Sequence, residues 1–179
     1  MLTTSTASKV IKVDAFKGSR PDRPLYIYLP AGYGDDPSVA YPVIYMQDGQ
    51  NCFDAFIQDS FAHSTWQADK TADRLIAEGK MRPCIIVGVG NGGGKRMREY
   101  RPPYVTYQYP APSVIKATAQ RGLESKARPV AGVSDKMAAY YIREVAPYIH
   151  SHYRSLTGPE DTATCGSSIG RTILYLHGP

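Results

Sequence analysis

Two short, unbroken apolar runs, Val43-Ile44-Tyr45-Met46 and Ile85-Ile86-Val87-Gly88-Val89, constrain the fold more than any other feature of the chain. A strand with one wet face alternates apolar and polar residues, whereas a strand buried on both faces of a parallel sheet is apolar throughout. Parallel neighbours need a crossover. Ser64 to Glu78 supplies one, with Trp66, Ala68, Ala72, Leu75 and Ile76 at near-helical spacing and Gly79 as the stop signal. Upstream, Lys9–Val13 alternates and Leu25–Leu29 is rich in β-forming residues; Gly18, Pro21 and Pro24 between them predict an opening hairpin. Downstream, Ser134 is placed to cap a helix running to Arg154, with Met137, Tyr140, Tyr141, Val145, Tyr148 and Ile149 as its apolar stripe and Pro147 bending it. Ala163-Thr164-Cys165 is a fifth short strand. A hairpin followed by strand, helix, strand, helix, strand predicts an α/β fold with a mostly parallel sheet flanked by helices, as one domain over residues 1–179.

Composition narrows the function classes. At 179 residues, 42% hydrophobic and 21% charged, the chain buries a single core and lacks the signature of disorder. Met1–Ser8 has no basic or apolar leader character, and no run approaches the roughly 18 apolar residues of a membrane span, so no membrane partner is expected. Cys52, Cys84 and Cys165 are an odd number at wide spacing, which suits neither a disulfide framework nor a zinc site and points to reduced thiols in a cytoplasmic protein. The net charge of +5 is scattered, which excludes a nucleic-acid stripe; one denser group, Lys95, Arg96, Arg98 and Arg101, is either a solvated surface or a basic rim that attracts anionic substrates. The long Gly-, Pro-, Tyr- and Arg-rich stretch from Asn91 to Gly132 reads as a functional loop roofing a site. Its Tyr100, Tyr104, Tyr107 and Tyr109 are placed either to stack on an aromatic or sugar group or to pack the loop onto the sheet.

The chemistry-bearing motif is Gly166-Ser167-Ser168-Ile169-Gly170. A serine hydroxyl is a weak nucleophile and needs exposure, a general base and donors for the oxyanion formed on attack. In Gly-x-Ser-x-Gly the glycines let the chain turn sharply from strand to helix, which pushes the middle serine out and aims the next backbone N–H at the oxyanion. This makes Ser168 the candidate nucleophile and Ile169 N–H a candidate donor. A β-type run precedes the motif, and Ile173, Leu174 and Leu176 after it suit the start of a helix. A second donor is expected after the third strand, where Asp48-Gly49-Gln50-Asn51 stands; Gln50 N–H is assigned, with Asn51 N–H as the alternative. Asp-Gly is also an ordinary turn signal.

Taken with Leu29-Pro30-Ala31-Gly32-Tyr33, Tyr41 to Asn51, Trp66, Val87-Gly88-Val89, Arg98-Glu99-Tyr100-Arg101-Pro102 and Pro147-Tyr148-Ile149, the elbow resembles the esterase D-like family of α/β-hydrolases, which includes enterochelin, feruloyl and acetylxylan esterases. The resemblance runs from about Lys9 to Gly170. It implies the α/β-hydrolase fold and hydrolysis of a small-molecule carboxylic ester, with a small or aromatic acyl group, through an acyl-enzyme, with no metal or organic cofactor. It also sets Arg98 and Glu99 beside the site, holding substrate or loop; a surface ion pair is the competing reading.

The same resemblance shows where the pattern departs. The family supplies the triad acid and histidine after the elbow, whereas this chain continues only nine residues beyond Gly170, with no Asp or Glu among them. His177 lies roughly 13 Å along a helix axis from Ser168 and does not reach it. His150 and His152 fall at the opposite end of the sheet. His63, in the loop after Asp48-Gly49, is the one histidine placed as a substitute base. Arg171 stands where the family has a small residue and should crowd the elbow. The expectation is an incomplete domain, cut after the elbow with the final strands missing, and an open sheet edge inviting a homodimer. The competing function is a non-catalytic remnant acting as a binding or interaction module. A third option, reaction through Cys52 or Cys165, lacks a basic neighbour in sequence to activate either thiol.

Overall fold

The computed structural model of the chain describes residues 6–109 and 128–171. Strands β1 (Lys9–Phe16) and β2 (Arg23–Leu29) form the opening hairpin, paired from Lys9 with Leu29 to Val13 with Leu25, with an irregularity before Phe16 meets Arg23. β3 (Val43–Gln47) and β4 (Ile85–Val89) are the two apolar runs, parallel and adjacent, with Val43 opposite Ile85 and Gln47 opposite Val89. β5 (Thr106–Tyr109) and β6 (Arg128–Ala131) make a separate antiparallel ribbon. β7 (Thr162–Cys165) lies parallel to β3. The main sheet has the order β1-β2-β4-β3-β7, antiparallel through the hairpin and parallel across β4, β3 and β7.

Every residue of β4 is buried because helices cover both faces of the sheet there. Alternation along β2 sorts two cores. Leu25, Ile27 and Leu29 join Val43, Tyr45, Val87, Met137, Val145 and Ile149 on one side, while Tyr26 and Tyr28 join Cys52, Phe53, Ala72, Cys84 and Ile86 on the other. Each fully buried aliphatic side chain contributes about 1.5–3 kcal/mol, so these two layers carry the fold. The tyrosines of the second core keep their hydroxyls hydrogen-bonded, Tyr26 to Asp59 (2.8 Å) and Tyr28 to Asp73 (2.7 Å). β7 is the sheet edge, and all four of its residues are exposed.

Four features differ from the sequence expectation. The crossover helix, α1 (Ala68–Ala77), begins after Trp66, because Trp66 N–H and Ala68 N–H are bonded to the Asn51 and Cys52 carbonyls and Gln67 between them is left-handed (φ 51°). Its end is as expected, with Gly79 in the left-handed region (φ 67°). The Asn91–Gly132 stretch is not simply a loop. It contains a 3₁₀ turn (Gly93–Lys95), a short helix α2 (Arg96–Glu99) and the β5–β6 ribbon. Ser134 is the first residue of α3 (Ser134–Tyr140) rather than its cap; Val133 occupies that position, and Ser134 N–H donates to the Arg101 carbonyl. The expected single helix is α3 and α4 (Ala146–His152) joined by a π turn, Tyr141–Val145, and it stops two residues before Arg154. Pro147 has no N–H for the carbonyl four residues back, and the π turn shifts the ladder so that Ala146 bonds Tyr141 five residues back. Among the described residues, no helix is long and apolar enough to cross a membrane.

Candidate active site

Because β3, β4 and β7 are parallel and in register, their carboxyl ends lie along one edge of the sheet, and the segments that follow them, Asp48–Cys52, Gly90–Gly94 and Gly166–Gly170, meet there. Crevices outside the carboxyl ends of such strands are where α/β proteins bind ligands. A cavity of about 920 Å³ opens at this edge, lined by Asp48, Gln50, Asn51, Asn91, Arg96 and Ser167 together with Lys12, Asp59, Phe61 and Trp66; the candidate nucleophile Ser168 is the neighbour of a lining residue and not itself one. Phe61 is fully exposed and Trp66 is 39% exposed, an uncommon state for large aromatic side chains unless they face a ligand or a partner.

Ser168 stands in the left-handed region at φ 56°, on a 3₁₀ turn, Ser168–Arg171, that follows β7 directly. A non-glycine residue there carries strain of about 1–2 kcal/mol, and such strain concentrates at functional turns. The turn is closed by Gly170 N–H bonding the Ser167 carbonyl at 2.9 Å. Gly170 is buried, and a Cβ added to it would sit 3.3 Å from Gln47 Cβ and 3.5 Å from Asp48 Oδ2, so the elbow rests on the end of β3. The Arg171 side chain, residues 172–179 with His177, and the side chains of Tyr107 and Tyr109 lie outside the described residues.

The loop after β3 packs backbone on backbone. Gly49 and Gly88 touch: a Cβ on Gly49 would lie 2.5 Å from the Gly88 carbonyl oxygen and 2.6 Å from Val89 N. Asn51 N–H donates to the Asp48 carbonyl at 2.8 Å, and the Gln50 side chain is drawn aside by Asn91 N–H, which donates to Gln50 Oε1 at 3.3 Å.

The sequence reading missed two ion pairs built on buried carboxylates. Asp48, 1% exposed and itself left-handed (φ 57°), accepts from Arg96 Nε and Arg96 Nη2, both at 2.6 Å, and from Asn91 Nδ2 at 2.6 Å. Glu99, also 1% exposed, is held by Arg23 at 2.8 and 3.1 Å and accepts Gly92 N–H at 2.9 Å. Burial alone would raise the Glu99 carboxyl, but the Arg23 hydrogen bonds and charge outweigh it and hold the group below the usual carboxylate range. Glu99 is therefore an interior anchor of the Gly90–Gly92 loop, neither a surface ion pair nor a wall of the cavity. Arg98 is exposed and lines no part of the cavity.

Of the basic group, Arg96 is the member that lines the cavity, and Asp48 neutralises it. Lys12 is likewise matched by Asp59 (2.8 Å) and Asp14 (3.2 Å), and its hydrogen bond holds the Asp59 carboxyl below its usual range. Among the described residues the charged lining groups are Lys12 and Arg96 against Asp14, Asp48 and Asp59, which favours the solvated-surface reading of the basic group over a basic rim for anionic substrates. Tyr100 is fully buried with its hydroxyl 3.3 Å from Asp48 N. It packs the segment onto the sheet and is unavailable for stacking, whereas Tyr104 is exposed.

His63 is exposed, at φ 48°; its neighbours Phe61 and Ala62 line the cavity and it does not. His150 bonds Ser155 at 2.7 Å, and Ser155 bridges Tyr41 ahead of β3, which sets His150 at the opposite edge of the sheet. Cys52 is buried and burial pushes its thiol well up, which disqualifies it as a nucleophile; Cys165 is exposed. Among the described residues, no group of three His, Cys, Asp or Glu side chains could hold a metal ion.

Solved structures share this architecture. An IroE-like serine hydrolase from Shewanella oneidensis is 25% identical with a TM-score of 0.61, covering 92% of this chain and 44% of that one. A ferulic acid esterase from Anaeromyces mucronatus is 27% identical with a TM-score of 0.54, covering 98% and 55%. The siderophore hydrolase EstA from Aspergillus nidulans, at 16% identity and a TM-score of 0.58, shares the fold over 92% of this chain and 50% of its own. This chain thus spans about half the length of the structures it matches. The family profile described as "Putative esterase" matches residues 19–174, and the chain belongs to that esterase family, on the α/β-hydrolase fold.

Proposed function

We propose that the cavity is the nucleophile half of a serine ester hydrolase, in which Ser168 attacks an ester carbonyl, expels the alcohol and forms an acyl-enzyme that water then cleaves. The single observation that carries this reading is the left-handed, strained Ser168 just after the carboxyl end of a parallel strand, on the turn whose Gly170 rests against Gln47 and Asp48. Gln50 N–H and Ile169 N–H are the oxyanion donors. Asn51 N–H is engaged with the Asp48 carbonyl, which favours Gln50 over the alternative. A lining with two basic side chains against three carboxylates disfavours an anionic ester, and Phe61 and Trp66 favour a small or aromatic acyl group. The ferulic acid esterase at 27% identity and the serine hydrolase at 25% carry esterase and hydrolase in their names, which supports the reaction class.

The experiment is hydrolysis of p-nitrophenyl acetate, with labelling by a serine-directed phosphonate, on the chain and on Ser168→Ala. Turnover lost in the variant and a phosphonate adduct mapped to Ser168 are expected. A site short of a triad member still accelerates hydrolysis roughly 10³ to 10⁴ fold over water, so the signal is measurable. Equal turnover in the two proteins and no adduct would leave the non-catalytic binding module as the better account. His63→Ala in the same assay tests the substitute base: unchanged turnover removes His63 from the mechanism.

A further inference from the structure

Asp48 is the most heavily engaged residue at the carboxyl edge. Its N–H faces the Tyr100 hydroxyl, its carbonyl accepts Asn51 N–H, and its two carboxylate oxygens accept three donors from Arg96 and Asn91. The bonds from Arg96 tie the carboxylate to the start of α2. Its position matters in another way. Asp48 is where β3 turns into the loop bearing Gln50, its left-handed backbone sets the direction of that turn, and its Oδ2 is within van der Waals reach of the Gly170 site that closes the elbow. Arg96 reaches it as a planar two-toothed fork, which fixes the plane of the carboxylate as well as its place. The Arg96 guanidinium also lies over the Tyr100 ring, 5.2 Å from its centre.

We propose that Asp48, clamped by Arg96, is the positioning residue that sets the spacing between the two oxyanion donors, Gln50 N–H on its own loop and Ile169 N–H on the elbow that rests against it. This deepens the serine-hydrolase reading and rests on it. The pair touches neither donor's proton. It acts by holding the loop and the elbow in register, so its effect belongs to the tetrahedral stage of the reaction and leaves ground-state binding of the ester alone.

The test compares the wild-type chain with Asp48→Asn, Arg96→Lys and Ser168→Ala, reading kcat and KM for p-nitrophenyl acetate, the affinity for phenylboronic acid, whose adduct with a serine oxygen is tetrahedral and anionic, and the thermal midpoint. Loss of one oxyanion donor lowers kcat by about 10² to 10³ fold, and misplacing one costs part of that. We expect kcat to fall about 10- to 100-fold in Asp48→Asn and about 10-fold in Arg96→Lys, with KM within twofold and boronate affinity falling alongside kcat. Should Asp48→Asn fail to fold, Arg96→Lys, which keeps the charge and loses the fork, gives the same readings. Wild-type kcat and boronate affinity in both variants, with Ser168→Ala inactive, would overturn the positioning role and leave the hydrolase reading intact. A change in KM as large as that in kcat would also overturn it, as general damage to the site. If the wild-type chain shows neither Ser168-dependent turnover nor a phosphonate adduct, the hydrolase reading falls first and this proposal falls with it.

Discussion

Glu99→Gln lowers the stability of the chain by about 3–5 kcal/mol, the cost of leaving one member of a buried ion pair without its partner. The substitution keeps the shape of the side chain and removes only its charge, so the Arg23 guanidinium, 1% exposed as a side chain, faces an uncharged amide with no water to replace the carboxylate. Arg20, 3.6 Å from the same oxygen, loses its partner too. In thermal unfolding the shift is on the order of 10 °C for a chain of this size. The effect also has a pH signature. The folded-state carboxyl of Glu99 is held below its ordinary value of 4.5, so the stabilisation is fully present above that value and is lost as the pH falls through the lower, folded value. Unfolding curves of the wild type and Glu99→Gln at pH 7 are expected to lie far apart and to converge in acid below about 4.5. A constant gap across that range would show that the carboxylate charge is not what holds Arg23.

Gly49→Ala is expected to damage stability and turnover together. The added Cβ would fall 2.5 Å from the Gly88 carbonyl oxygen, and the obstruction is backbone of a central strand, which has no rotamer to give. Overpacking of this kind costs about 1–3 kcal/mol, and here relief comes by lifting the loop off β4. Gln50 is the next residue, so lifting the loop withdraws its N–H from the oxyanion, and Ser168-dependent turnover should fall by about 10² fold. Gly94→Ala is the matched control for stability: nothing lies within 4 Å of its Cβ position, and its unfolding midpoint should stay close to that of the wild type. Chemical denaturation of the two variants, with p-nitrophenyl acetate turnover, separates the effects. Full turnover in Gly49→Ala would remove the Asp48–Asn51 loop from the oxyanion hole.

The parts of this molecule legible in the sequence are those that local periodicity reports. Ile85–Val89 is apolar because the sheet is covered on both sides there, Val43–Met46 is fully buried on one face and half-buried on the other at Ile44 and Met46, and Leu25–Leu29 alternates between two cores that both exist. Boundaries were less legible, because Trp66 and Ser134 are placed by hydrogen bonds to segments distant in sequence, which outrank their local propensities. At the candidate site, chain order alone brought Gln50 and Ser168 to one edge. The ion pairs were not legible at all: Asp48 and Arg96 stand 48 residues apart and Arg23 and Glu99 stand 76 apart, and nothing in either local pattern names the other partner. The charge count misled for the same reason, since the Lys95–Arg101 group is basic in sequence while Arg96, its member in the cavity wall, is neutralised in space by Asp48.

α2 has only four residues, far fewer than the dozen or so at which an isolated helix holds itself together in water. It exists because it is gripped from outside at both ends, Arg96 by the end of β3 and Glu99 by the start of β2. Its helical form is therefore borrowed from the sheet, and a substitution that removes either grip, at Asp48 or at Arg23, is felt in α2 as well as at its own position.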